Sequence, residues 1–336
     1  MSQMRGMQSA ELEREVYIAA GASVAGKKEG EGPLGEKFDI VCQDPMFGQD
    51  SWEMAESTMQ AMAAKKALEK GGLNPSTVRC VFAGDLLGQL IATSFGMEKL
   101  DIPLLGLYGA CSTCGEALAL AAVMVSGGFA DYAMALTSSH FASAEKQFRF
   151  PLEYGNQRPL SATWTVTGSA AFILSNKPGK IKITGITVGR VVDYGVRDSL
   201  NMGAAMAPAA CGLIVQNLKD FNRQPRDYDQ IITGDLGYVG QKILWDLAKE
   251  QGYDISRNHM DCGIEIFDRE TQDTHAGGSG CGCSAVTLAA HILPKLERGE
   301  WKRVLFLPTG ALLSPTSFNE GQSIPGIAHG VVLERC

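Results

Sequence analysis

The sequence predicts an α/β protein built from two similar βαβ-rich halves related by a pseudo-twofold axis. Three observations predict it. Leu68, Pro75, Gly84, Asp85 and Leu86 recur as Leu218, Pro225, Gly234, Asp235 and Leu236, an offset of 150 at each position, and Val81-Phe82 is matched by Ile231-Ile232. Each half also carries a small-residue, cysteine-bearing turn before an Ala-rich helix: Gly109-Ala110-Cys111-Ser112-Thr113-Cys114-Gly115 and Gly278-Ser279-Gly280-Cys281-Gly282-Cys283-Ser284. After each helix comes a glycine and an apolar strand, with Gly128 to Leu136 spaced as Gly299 to Leu307. Equivalent turns of two such halves meet near the axis, where a site can form. Pro178-Gly179 marks the expected division into an N-terminal half, 1–177, and a C-terminal half, 178–336.

The elements follow in order. Val16 to Val24 reads as a first strand, and the Gly-rich, charged stretch Gly26 to Gly35 as an exposed loop. Asp50 or Ser51 caps a helix to about Lys70, with Trp52, Ala55, Met59 and Met62 on one face and Gly71-Gly72 as its stop. Val78 to Ala83 is a strand and Leu86 to Phe95 a helix. Pro103 to Tyr108 is a strand leading into the Cys111 turn, Gly115 to Val125 the helix after it, and Tyr132 to Thr137 the next strand. A long polar connection, Ser138 to Thr163, ends in the strand Val166 to Leu174. In the second half, Ile181 to Val192 is strand and Ala204 to Leu218 helix. Ile231 to Thr233 leads into a helix from about Tyr238 to Gln251. Cys283 to Leu296 is helix, and Val304 to Leu307 and Gly330 to Leu333 are strands. Alternating strands and helices imply a parallel-rich sheet covered on both faces.

Composition narrows the function. The 336 residues are 45% apolar and 20% charged, enough for a sizeable core, and the formal charge is −7. That charge, without basic runs carrying interleaved aromatics, argues against nucleic acid as a partner. The longest apolar run, Ala117 to Val125, is too short to cross a bilayer. Met1 to Glu15 has no apolar signal-like region, so synthesis in the cytoplasm with reduced thiols is expected for the nine cysteines. Any membrane association is then peripheral.

Cys111 carries the sharpest chemical signal. A thiol at a strand-to-helix turn sits near free helix amides and a dipole that favour thiolate, which is a nucleophile's position. The competing reading makes Cys111 and Cys114 small buried hydrophobes in a tight turn. A redox or metal role for Cys111 and Cys114 with Cys281 and Cys283 needs all four sulfurs to converge, and Cys-x-Cys is an unusual half of a zinc site; no metal or cofactor is expected. In the polar connection, His140, Ser143, Lys146 and Arg149 form a candidate anion site, and Phe148, Phe150 or Trp164 can cover a ring. The competing reading is a solvated loop with aromatic anchors. His275 is a candidate base or an ordinary loop histidine. Asp85 and Asp235 are candidate caps for the helices after their strands.

Two such halves, with a cysteine at a strand-to-helix turn of the first, resemble the thiolase superfamily, which includes thiolases and ketoacyl synthases. Gly109-Ala110-Cys111-Ser112 resembles the synthases' nucleophile elbow. Five runs resemble the stage V sporulation protein AD family within that superfamily. They are Gly106-Leu107-Tyr108-Gly109-Ala110-Cys111-Ser112-Thr113-Cys114, Ser143-Ala144-Glu145-Lys146-Gln147-Phe148-Arg149, Asn201-Met202-Gly203-Ala204-Ala205-Met206-Ala207-Pro208-Ala209-Ala210, Gly277 to Ala285, and Thr309-Gly310-Ala311-Leu312-Leu313-Ser314-Pro315. The resemblance runs from about Val16 to the end and implies a thiolase-like fold, its halves packed in layers.

The chain departs from the enzymes where their catalysis needs help. A second-half His with Asn, or two His, assists the cysteine in those families. The first is expected just after Ile231 to Thr233, where Gly234-Asp235-Leu236 stands, and an anionic aspartate repels an enolate. The second is expected in the turn after His275, where Ala276-Gly277-Gly278 stands. The terminal Gly-rich loop with a second cysteine is replaced by Ile327-Ala328-His329-Gly330, which leaves His329 as a stray base.

The expectation is therefore a cleft turned into a binding pocket, with no catalytic residue and Cys111 as a vestigial nucleophile position. The resemblance implies dipicolinic acid (pyridine-2,6-dicarboxylate) as ligand, taken up during sporulation and released at germination. It also implies a peripheral place at the spore inner membrane beside other stage V sporulation A-operon membrane proteins, with calcium a candidate companion ion. Candidate ligand residues are Cys111, His140, Ser143, Lys146, Arg149, Trp164, Thr165, Gly278, Ser279 and Cys281. Gly278-Ser279-Gly280 amides are further donors. The alternatives are an acyl transferase or thiolase with Cys111 acylated from coenzyme A and His275 or His329 as base, and a pure scaffold of the membrane complex. By analogy with thiolase-fold proteins, a homodimer through the first-half sheet edge is expected.

Overall fold

A computed structural model describes residues 3–149 and 157–336. Its main sheet runs, in spatial order, through His259–Asp261, Gln230–Thr233, Arg303–Leu307, Gly330–Arg335, Ile181–Thr187, Ser9–Ala25, Gly168–Ser175, Tyr132–Ser139, Cys80–Gly84 and Leu104–Gly106. The order reads the same from both ends. Cys80–Gly84 lies parallel to Leu104–Gly106 and to Tyr132–Ser139, as Gln230–Thr233 lies parallel to His259–Asp261 and to Arg303–Leu307. The next pairs inward are antiparallel in both halves. The two sets meet where Val16 opposes Ile183 in an antiparallel pair, as a twofold axis requires. The fold is thiolase-like.

Strand alternation explains the layering, because successive side chains leave opposite faces of a strand. Val81 and Ala83 pack outward with Ala55, Met59 and Ala63 of helix Trp52–Gly71. Cys80 and Phe82 pack inward with Cys114, Leu118 and Ala121 of helix Thr113–Ser126. In the second half, Ile231, Leu305 and Leu307 face helix Met202–Asp220, while Ile232, Val304 and Phe306 face the centre. Three apolar layers thus separate outer helices, sheets and two central helices. Ser51 caps the first outer helix, accepting from Met54 N at 3.3 Å, and Gly72 ends it at φ +61°.

Several elements differ from expectation for identifiable reasons. The helix expected from Leu86 begins only at Ile91, because Gln89 and Leu90 sit at φ +56° and +55°. Asp85 holds that irregular turn, accepting from Leu87 N at 2.7 Å and Thr93 N at 2.8 Å. The helix expected from Cys283 to Leu296 starts at Cys281 and passes through a π-helical stretch, Leu288–Ile292. Pro294, which has no amide and crowds the carbonyl four residues back, follows it. Gly26 to Gly35 is not an exposed loop: a helical turn, Lys27–Gly30, buries Glu29. The connection after Ser138 contains helix Phe141–Phe148, and Phe150 lies outside the described residues.

Candidate functional site

The site is built around the turn into the first central helix. Ala110 sits at φ +50°, a left-handed conformation that costs a non-glycine residue about 1–2 kcal/mol. Thr113 Oγ1 accepts from Gly109 N at 3.0 Å and donates to Ala110 O at 2.7 Å, and Ser112 Oγ donates to Gly109 O at 2.7 Å. These bonds hold the sharp elbow that presents Cys111. Cys111 lines a narrow cavity of about 40 Å³, walled by Leu86, Ala144, Phe148, Met202 and Leu313. A wider mouth of about 560 Å³ shares Leu86, Tyr108, Phe148 and Leu313 with it, so the two form one cleft.

Asp235 decides the chemistry of this cleft. It follows the second-half strand at the position equivalent to Asp85, and it is 1% exposed. Its carboxylate accepts from Thr309 Oγ1 at 2.8 Å, Gly280 N at 2.9 Å and Ser279 Oγ at 3.1 Å. Burial, and then the Asp235 charge, push the Cys111 thiol well above its usual value. The expectation of a thiolate is thereby opposed: the helix N-terminus does not offset burial and a neighbouring carboxylate. Asp235 does not cap the helix after its strand either. That role falls to Asp261, which accepts from Leu236 N at 2.9 Å and Gly237 N at 3.0 Å.

Two segments distant in sequence complete the wall. Trp164–Thr165 pairs in parallel with Gly278–Ser279, which sets Thr165 and Ser279 beside Cys111. Gly280, at φ +103°, has no room for a side chain, since a Cβ would stand 2.5 Å from Ser139 Oγ. Two amides of this turn are engaged within the protein, Gly280 N on Asp235 and Gly282 N on Ser139 Oγ at 3.1 Å. Cys281 is fully buried, its thiol donating to Ser138 O at 2.8 Å, and Gly278 is likewise buried against Ile266 and Val166.

Helix Phe141–Phe148 sorts the remaining candidates. Glu145, Phe148 and Arg149 line the Cys111 cavity. Arg149 Nη1 lies 3.0 Å from a Glu145 oxygen without hydrogen-bond geometry, and Nη2 reaches Thr163 O only at 3.5 Å. The guanidinium therefore keeps donors for another anion. Lys146 leaves from the opposite side of the helix, 57% exposed, and pairs with Glu53 at 2.5 Å. Ser143 is buried, donating to Glu56 Oε2 at 2.6 Å. Lys146 and Ser143 are thus not in the cleft. His140 and Trp164 line a separate cavity on the other flank of the helix. His140 is fully engaged, Nε2 on Pro45 O at 2.8 Å and Nδ1 accepting from Ala142 N at 3.2 Å.

No histidine lines the Cys111 cavity among the described residues. His275, a candidate base, contacts Pro159 O at 2.9 Å and Asp273 at 3.1 Å. His329 lies near Gly189 N at 3.4 Å, and burial holds its pKa below the usual value. Sequence reasoning missed Glu145, Met202 and Leu313 as lining residues. The first was within reach, since Phe141, Ala144, Glu145 and Phe148 follow helical spacing.

A profile of the family described as "Stage V sporulation protein AD (SpoVAD)" matches residues 6–334. The stage V sporulation protein AD of Bacillus subtilis (strain 168) is 47% identical over 332 residues, covering 99% of this chain and 98% of that protein. The chain belongs to the stage V sporulation protein AD family. Among solved structures, cerulenin-bound OleA of Xanthomonas campestris superposes with a TM-score of 0.60 at 16% identity, covering 95% of this chain and 96% of that one. Aquifex aeolicus 3-oxoacyl-[acyl-carrier-protein] synthase III gives 0.59 at 13%, covering 96% and 100%. Ascaris suum Acat5 thiolase, in complex with coenzyme A, gives 0.59 at 12% over the same shares. At such identities they share the fold alone with this family member.

Proposed function

We propose that this chain binds dipicolinic acid in the Cys111 cleft without turning it over, and so supports the acid's uptake into the developing spore and its release at germination. Arg149 carries the reading: a buried, under-bonded guanidinium facing a cleft whose thiol is held protonated by burial and then by the Asp235 charge. A carboxylate of the ligand takes the free guanidinium donors, with the ring against Phe148, Leu86 and Leu313 toward the mouth. Thr165 supplies a further hydroxyl. Membership of a sporulation family supports the setting. None of the helices described is long and apolar enough to cross a membrane; the proposed place is peripheral, at the spore inner membrane, against membrane proteins of the same sporulation operon.

Calorimetry with dipicolinate, with and without calcium, tests the reading and shows whether calcium accompanies the ligand. Saturable binding is expected, and its absence at millimolar ligand would leave the scaffold reading. The retained elbow at Ala110 is the one feature favouring an acyl transferase. Mass spectrometry after incubation with acyl-coenzyme A is expected to find Cys111 unmodified.

An exposed sheet edge supports the proposed homodimer. Leu104 and Leu105 of the terminal strand are exposed, and so are Phe95, Leu120, Val123 and Phe129. Unpaired strand edges with apolar side chains invite pairing.

A further inference from the structure

We propose that a second copy of this chain braces the back of the Cys111 elbow, with Arg14 of the partner subunit paired to Glu116. The inference rests on the homodimer reading above and names the contact that sets its register. Glu116 stands in the first turn of helix Thr113–Ser126, so close behind the elbow that a Cβ on Gly109 would lie 2.9 Å from its Oε2. That oxygen is buried without a hydrogen-bond partner. Burial raises the carboxyl's pKa, and no cation among the described residues offsets it. A buried carboxylate oxygen without a donor is costly, and an incoming cation relieves that cost.

The surrounding surface indicates where the cation comes from. Glu116, Leu120 and Val123 follow at spacings of four and three, on one helix face, and Leu120 and Val123 are exposed. Leu105 of the edge strand Leu104–Gly106 lies in register with Phe82, which packs on this same helix. Stripe and open edge therefore share one face of the sheet, and exposed Phe129 extends it past the helix end. A twofold axis at a sheet edge sets strand against strand and helix against helix in antiparallel order. The amino end of one helix then lies beside the carboxy end of the other. Arg14 stands at that carboxy end: its amide donates to Ser126 Oγ at 3.3 Å, and its guanidinium lies over Gly128, leaving no room for a side chain there. Arg14 is exposed and makes no ion pair among the described residues, while its neighbours Glu13 and Glu15 turn to Gln3 and Lys182. The midpoint between Glu116 and Gly128 falls between Leu120 and Val123. An axis through that stripe brings each Glu116 to the partner's Arg14.

Sedimentation equilibrium of the full chain tests the pair through a double-mutant cycle of Arg14→Met and Glu116→Gln. The wild type is expected to dimerise, and Arg14→Met to raise its dissociation constant at least about tenfold, the size of a close interfacial charge pair. The double variant is expected to dimerise no more weakly than Arg14→Met alone, since either change removes the same contact. Combining Arg14→Glu with Glu116→Lys is expected to restore what Arg14→Glu alone loses. A dimer indifferent to Arg14→Met, or losses that add in the double variant, would overturn the pair and leave the homodimer standing. A wild-type chain that stays monomeric would overturn the homodimer reading and this inference with it. Should Glu116→Gln fail to fold by circular dichroism, Arg14→Lys takes its place. The retained charge is then expected to lose less than Arg14→Met, and equal losses would count against the pair.

Discussion

Asp235 is the charged neighbour that works against a thiolate at Cys111. After burial, its charge raises the Cys111 thiol, and its oxygens accept from the Ser279 hydroxyl and the Gly280 amide. Asp235→Asn keeps the shape and removes the charge. Alkylation of Cys111 by iodoacetamide at about pH 8 is expected to speed up several-fold, since each unit of pKa is a tenfold change in thiolate. An unchanged rate would mean that access alone protects the sulfur. Glu56 offers a second test at this scale. It is fully buried, accepts from Ser138 Oγ at 2.7 Å and Ser143 Oγ at 2.6 Å, and burial with neighbouring Asp85 pushes it up to about 8. A carboxyl whose folded pKa lies above the ordinary 4.5 favours folding fully below that value and loses this contribution as pH rises through about 8. Between these limits it makes stability fall by about 1.4 kcal/mol per pH unit. Glu56→Gln is expected to flatten that slope in urea denaturation at about pH 5 and pH 7.5; an unaltered slope would place the charge elsewhere.

At the scale of elements, helix Phe141–Phe148 organises both cavities. Its first turn, Phe141 and Ala142, faces one, and its last, Glu145, Phe148 and Arg149, faces the other. The sequence singled out this stretch as polar, aromatic and a candidate anion site, and the structure divides its residues between the two cavities. What composition could not supply is the side of the helix each residue takes. Lys146 and Arg149 are three apart, yet Arg149 turns into the cleft while Lys146 meets Glu53 of helix Trp52–Gly71. A two-turn helix, one residue after strand Tyr132–Ser139, carries too little periodicity to settle that choice. The same limit hid the Lys27–Gly30 turn: two lysines and a glutamate read as solvated, and only the tertiary fold buries Glu29.

For the whole molecule, the offset of 150 residues translates directly into the sheet. Val81-Phe82 and Ile231-Ile232 occupy equivalent parallel strands, and Asp85 and Asp235 end them. Duplication was legible because strand, turn and helix signals recur in one order. The divergence of the two aspartates was not, because each takes its partners from a different, distant segment. The exposed edge Leu104–Gly106 belongs to this scale too. Leu105→Asp is expected to convert a dimer into a monomer in sedimentation experiments; a wild-type chain that already sediments as a monomer would contradict the proposed interface. The central claim is that Arg149, inside the cleft, receives a dicarboxylate. Calorimetric titration of Arg149→Met and Lys146→Ala with dipicolinate tests it most directly. The account predicts at least about tenfold weaker binding for Arg149→Met and wild-type affinity for Lys146→Ala. Wild-type affinity in Arg149→Met, or equal losses in both, would contradict it.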